Sequence, residues 1–190
     1  KLTSKNYNRL FIQMMLDLNK TKVLDAAAVR ALLIGYTEES NRFPKDVELR
    51  KGFNESYLSN KYAQEVLFII ALSKLNPRMS DRLKLSTESY SVEHMMPKEW
   101  REHWKVPGMT EEQKADRDWT LKTLGNLTLV TQPLNSSMRN ASWSKKRKKL
   151  KEHSSLSLTT DYLEVDPWDE VGIGNRSKDL ADNALEIWKI

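Results

Sequence analysis

The chain has 190 residues, no cysteine and a formal net charge of +5, from 31 basic and 26 acidic side chains. That length supports a hydrophobic core without staples. The missing cysteines exclude disulfides, a thiol nucleophile and a Cys-based zinc knuckle, and they fit a reducing compartment, the cytoplasm.

The longest apolar run, Val66 to Leu72, is too short to cross a bilayer, so no membrane partner is expected. The chain opens on Lys1 with no signal peptide, and is read as a single domain over 1–190 that forms the C-terminal part of a longer protein.

Residues 1–80 read as a helical segment. Leu10, Phe11, Met14, Met15 and Leu18 recur at helical spacing, which predicts a helix with those side chains in the core. Asp25 is positioned to cap a second helix carrying Val29, Leu32 and Leu33 and ending at Gly35. Pro44 suits the first position of a third. In "NKYAQEVLFIIALSKLNP", Tyr62, Val66, Leu67, Ile70 and Ala71 share a face, and Asn76-Pro77 is the predicted stop.

The texture then changes. Tyr90 and Val92 alternate with polar neighbours, predicting a short half-buried strand halted near Pro97. "PKEWREHW" predicts a brief helical turn, and Thr110 with Gln113 has the spacing of a capping box for another short helix. Gly125 marks a turn into a second strand, "NLTLV", with Leu127 and Leu129 on one face. Ser142 or Ser144 caps a basic helix in which Trp143 and Leu150 face inward. Residues 160–190 read as a C-terminal helical segment, with Leu180, Ala184, Ile187 and Trp188 at helical positions. The expected class is α+β, predominantly α-helical.

The charge is local. Residues 139–151, "RNASWSKKRKKLK", hold seven of the 31 basic residues and no acid. Such a block is the footprint of a nucleic-acid surface, and a solvated helix face is its bland alternative. Arg139, Asn140, Lys145, Lys146, Arg147 and Lys149 are the candidate contacts to double-stranded DNA.

Within "YSVEHMMPKEW", Glu93 and His94 stand side by side in a chain with only three histidines. Phosphodiester hydrolysis needs a base near neutrality, and histidine supplies one. A carboxylate plus an amide carbonyl offers hard oxygen ligands, which suit Mg²⁺ or Mn²⁺ and point to Glu93 with Asn135. Neighbours on a regular strand face opposite ways, so Glu93 and His94 converge only if the strand bends. Asn126 after Gly125 is ordinarily a turn residue, and Asn135 has a competing reading as a helix cap.

"VEHMMP", "LGNLTLV", "LNSSMRN" and the W-S-K-K that follows resemble the HNH nuclease domain at the C-terminus of GmrSD-type modification-dependent (type IV) restriction enzymes. The spacing of Asn126 and Asn135 is also similar to that in the HNH domain of RNA-guided CRISPR effectors. The resemblance implies a ββα-metal core over residues 88–153, flanked by helices, and the stretch around "WDEVGIGNR" is similar too.

It implies His94 as general base, Glu93 as metal ligand, Asn126 as the residue fixing the loop that holds the base, and Asn135 completing the metal site. Two departures stand out: Glu93 replaces the more common Asp, and Asn135 stands where many HNH enzymes have His. Asn140 is a second amide that could complete the site. The expected function is a metal-dependent DNA endonuclease of low sequence specificity in an anti-phage restriction system, joined to an N-terminal nucleotide-binding sensor domain. The alternatives are a catalytically silent nuclease-like DNA-binding module and a helical docking domain for that N-terminal part. Oligomeric state is left open.

Overall fold

The structure, a computed structural model, describes residues 4–21, 23–38, 41–75 and 86–188. Contacts divide the chain into two compact units, one up to Glu48 and one from Leu49 onward.

The first unit contains helix α1 (Ser4–Leu18) and helix α2 (Ala26–Gly35), which pack on each other. Asp25 caps α2 as its sequence position predicts, its carboxylate accepting from the Ala28 N–H at 2.8 Å. The expected buried stripe of α1 is not buried: Phe11 and Met15 are 56% and 70% exposed. Helical periodicity places side chains on one face but does not supply the neighbour that covers it. Helix α3 (Asp46–Glu55) begins two residues after Pro44 rather than at it.

The core lies in the second unit. Helix α4 (Asn60–Ser73) buries Ala63, Leu67, Phe68, Ile70 and Ala71, while Tyr62, expected on that face, is largely exposed. Its predicted stop at Asn76-Pro77 lies outside the described residues.

Strand β1 (Ser91–His94) pairs antiparallel with strand β2 (Leu127–Val130), with Glu93 opposite Thr128 and His94 opposite Leu127. All four residues of β2 are buried, so it is covered on both faces. In β1 the residue removed from solvent is Glu93, not Tyr90 or Val92, which are only partly buried against the α4 core.

Between the strands come α5 (Trp100–His103) and α6 (Glu111–Thr120), the latter with both bonds of the predicted capping box between Thr110 and Gln113. After β2 the chain forms α7 (Gln132–Met138), the basic helix α8 (Trp143–His153), the short α9 (Ser157–Thr160) and the long α10 (Glu170–Ile187). Ser142 occupies the N-cap position of α8 without making a side-chain cap bond. Asn135 lies inside α7, so it is not a cap.

The architecture is a predominantly helical domain around a two-stranded antiparallel hairpin, consistent with a ββα-type core. Two apolar clusters meet the hairpin. One joins α4 to Leu127, Leu129 and the inner face of α10. The other gathers Met95, Met96, Trp100, Val130, Trp143, Leu150 and Trp168. No helix among the described residues is long and apolar enough to cross a membrane.

Candidate active site at the end of the hairpin

The turn after His94 is held by one side chain. Asn126 is fully buried; its Oδ1 accepts from the Met96 N–H at 2.7 Å and from Trp168 Nε1 at 3.1 Å. Its Nδ2 donates to the carbonyls of Met96 and Leu121, both at 2.8 Å, and its own carbonyl accepts from the Met95 N–H at 2.9 Å. The amide is saturated and none of it is left for a ligand. It clamps the two residues that follow His94, where the chain bends away from the strand.

A second buried group supports that clamp from below. Arg176 on α10 is wholly buried, and its Nη1 donates to the carbonyls of Gly125 at 2.8 Å and Leu127 at 2.7 Å, with Nη2 on Leu158 at 3.0 Å. Burial pushes its guanidinium down to about 10, still charged at neutral pH. Gly125 is required by close approach: a Cβ there would stand 2.2 Å from the Ile173 carbonyl oxygen on α10. The "WDEVGIGNR" stretch is therefore structural support for the Asn126 loop. Its place in the chain carries no hint of this, because Arg176 reaches the carbonyls on either side of Asn126 only in the fold.

In front of the clamp is an open pocket of about 270 Å³, lined by Asn60, Val92, Glu93, His94, Pro97, Lys98, Asn135, Arg139, Asn140 and Lys146. Thus Glu93, His94 and Asn135, far apart along the chain, share one cavity, together with Arg139 and Asn140. Lys98 and Asn60 were not foreseen; the only sequence signal for Lys98 was its place next to Pro97 in the His94 motif.

The His94 imidazole is pushed down to about 4 by burial, with the Lys98 and Lys146 charges adding to the effect, so it is neutral at physiological pH but a weaker base than the near-neutral one its residue type predicts. Asn135 is oriented by its Nδ2, which donates to Ser91 Oγ at 3.0 Å and to the Val92 carbonyl at 3.2 Å. Its Oδ1 has no donor among the described residues.

Glu93 is engaged. Its Oε1 accepts from Lys146 Nζ at 2.5 Å, and the same ammonium donates to the His94 carbonyl at 2.7 Å. Burial pushes the carboxyl up and the ammonium down, and the short contact between them favours the charged pair. This corrects the reading of Lys146 as a phosphate contact: its side chain is 1% exposed and points inward from α8.

The remaining basic candidates divide. Arg147 pairs with Asp166 at 3.0 Å and Lys149 donates to the Ser137 carbonyl at 2.7 Å. The Arg139 and Lys145 side chains are exposed and have no hydrogen-bond or ion-pair partner among the described residues. Arg139 also holds a backbone φ of +39°, a strained conformation for a residue with a Cβ, at the pocket rim.

For a divalent ion, the donor set is one carboxylate, one free amide oxygen and an adjacent imidazole. That fits a hard cation that keeps most of its water, and the ammonium on Glu93 works against it. No group of three or more His, Cys, Asp or Glu able to hold a metal is found among the described residues.

Residues 43–183 match the family described as GmrSD restriction endonucleases, C-terminal domain. No curated protein is similar enough to the chain to count as a match. The matched stretch holds both strands, the Asn126 clamp and every residue that lines the pocket, and the chain belongs to this family of restriction endonuclease C-terminal domains.

Proposed function

We propose that the domain engages double-stranded DNA at the His94 pocket and hydrolyses a phosphodiester bond there with little sequence specificity. The observation that carries this reading is the convergence of Glu93, His94 and Asn135 on one cavity, with Arg139 free at its rim. Neutral His94 takes a proton from water, and the resulting hydroxide attacks phosphorus in line with the leaving 3′ oxygen. Lys98 and Arg139 hold phosphate oxygens, while Lys145 and Arg147 extend the contact along the backbone. Asn126 keeps the turn after His94 in place and touches no substrate. Mg²⁺ or Mn²⁺, bound by Glu93 and Asn135, would supply charge neutralisation at the leaving oxygen. Asn140, on the same wall, is the alternative amide ligand.

We propose further that the domain serves as the effector of a restriction system, as the family's description suggests, joined to a nucleotide-binding sensor domain.

A second reading has observations of its own. Glu93 is already neutralised by Lys146, and no three-ligand cluster is present among the described residues. On those points alone a nuclease-like module that binds DNA without cutting it is favoured. Supercoiled plasmid incubated with the protein and each of Mg²⁺, Mn²⁺, Co²⁺ and Ca²⁺ separates the two. Nicked or linear product with Mg²⁺ or Mn²⁺ supports hydrolysis. Intact plasmid under every ion, alongside a gel shift that survives EDTA, supports the silent module.

A further inference from the structure

Of the seven basic residues between 139 and 151, Lys146 is the buried one. It lies three residues after Trp143 and four before Leu150, on the face of α8 that packs into the core. An apolar side chain would satisfy that position. Instead the fold carries an ammonium inward and ends it on two acceptors of the candidate site, the Glu93 carboxylate and the His94 carbonyl. Buried ion pairs of this kind are poor sources of stability, since desolvation of both charges offsets their attraction. Packing therefore gives no reason for a lysine here. The pocket does, because Lys146 is part of its lining.

We propose that Lys146 is the built-in cation of this site and competes with a divalent ion for Glu93. The inference rests on the proposed role of Glu93 as a metal ligand. With the ammonium in place, the carboxylate is balanced without metal, and the site is complete in charge before any ion arrives. An ion that binds Glu93 must either share it with a positive charge in direct contact or drive that charge away. Both routes weaken binding relative to the same oxygen set without the lysine. In the second route the ammonium gives up Glu93 and keeps its bond to the His94 carbonyl. Lys146 then holds Glu93 before the ion binds and releases it afterwards. A purely structural lysine would have no reason to respond to the ion.

The test is Mn²⁺ binding, followed by the loss of the free-ion EPR signal, in the wild type, Lys146→Met, Glu93→Gln and the double variant. Lys146→Met is expected to bind Mn²⁺ about tenfold more tightly than wild type. The double variant should lose that gain. Wild-type binding that depends on Glu93, with Lys146→Met equal or weaker, overturns the competition and leaves the metal site standing. No binding in any variant overturns both.

A measurement on the wild type covers the case in which Lys146→Met does not fold. The ammonium is buried, so it is expected to exchange its protons slowly and to give its own resonance in ¹⁵N-lysine spectra. Adding Mg²⁺ should shift that resonance and speed its exchange. A resonance unmoved at saturating Mg²⁺ overturns the proposal.

Discussion

Asn126 and Asn135 are the same residue type at the two ends of β2, and the regions that carry them differ in nearly every physical respect. The Asn126 loop is buried, its amide makes four hydrogen bonds, and Gly125, Arg176 and Trp168 close around it. The Asn135 helix borders an open pocket, and its amide oxygen has no donor among the described residues. The saturated amide is architecture, and the half-used one is available to a ligand. A site of this kind needs both, because an open pocket holds its geometry only if the floor beneath it cannot move.

The sharpest way to break the comparison is to truncate each amide. Asn126→Ala leaves two backbone groups of the Met95–Met96 turn, the Leu121 carbonyl and the Trp168 indole without their partner. At about 1–3 kcal/mol for each buried group left unpaired, most of the stability of an ordinary domain is at risk. Asn135→Ala should cost only about 1 kcal/mol, lowering the urea midpoint by about half a molar, while impairing cleavage. Equal losses from the two substitutions in urea melts would remove the distinction.

Arg176→Met probes the layer below. The methionine fills the volume but strands the Gly125, Leu127 and Leu158 carbonyls, so a loss of about 2–4 kcal/mol is expected. Pocket residues should keep their chemical shifts up to the melting transition if the arginine acts only through the floor.

His94 sharpens the contrast by pH. Its folded-state value of about 4 lies below the ordinary 6.5, so between these values the unfolded chain binds the proton more tightly. The stability due to the neutral ring is therefore complete above pH 6.5 and is lost as pH falls toward 4. A ¹³C-histidine titration should show no inflection near 6.5 for His94, and cleavage should have no acid limb there. An ordinary inflection near 6.5 from His94 would show that the pocket does not shield it.

The smallest effects concern the rim. Arg139→Ala and Lys145→Ala should each lower the slope of log K for DNA against log salt by about 1. Lys149→Ala, already bonded to Ser137, should change it less. A slope indifferent to Arg139 and Lys145 would move the DNA to another face.

Local signals in the sequence carried the fold well where the physics is local. The Thr110–Gln113 capping box, the Asp25 cap and the inward pair Trp143 and Leu150 are all present. Helix α7 escaped because "QPLNSSM" has too few apolar residues to show a period. The exposure of Phe11 and Met15 on α1 was illegible because a stripe specifies a face and not its partner.

At the site, the residue types suited to a base and a hard-ion ligand were readable, and their meeting was implied by the family resemblance alone, since β1 and α7 approach only through the hairpin. Lys146 was misassigned because a basic run reads as solvated surface. Its register with Trp143 and Leu150 held the opposite message, which composition masked.

The most direct test of the account is single-turnover nicking of supercoiled plasmid by the wild type and His94→Ala, with DNA binding measured in parallel. Loss of a general base predicts a rate lower by about 10²–10⁴ with affinity and melting behaviour unchanged. A His94→Ala protein that nicks at the wild-type rate would place the chemistry elsewhere and contradict the assignment of this pocket.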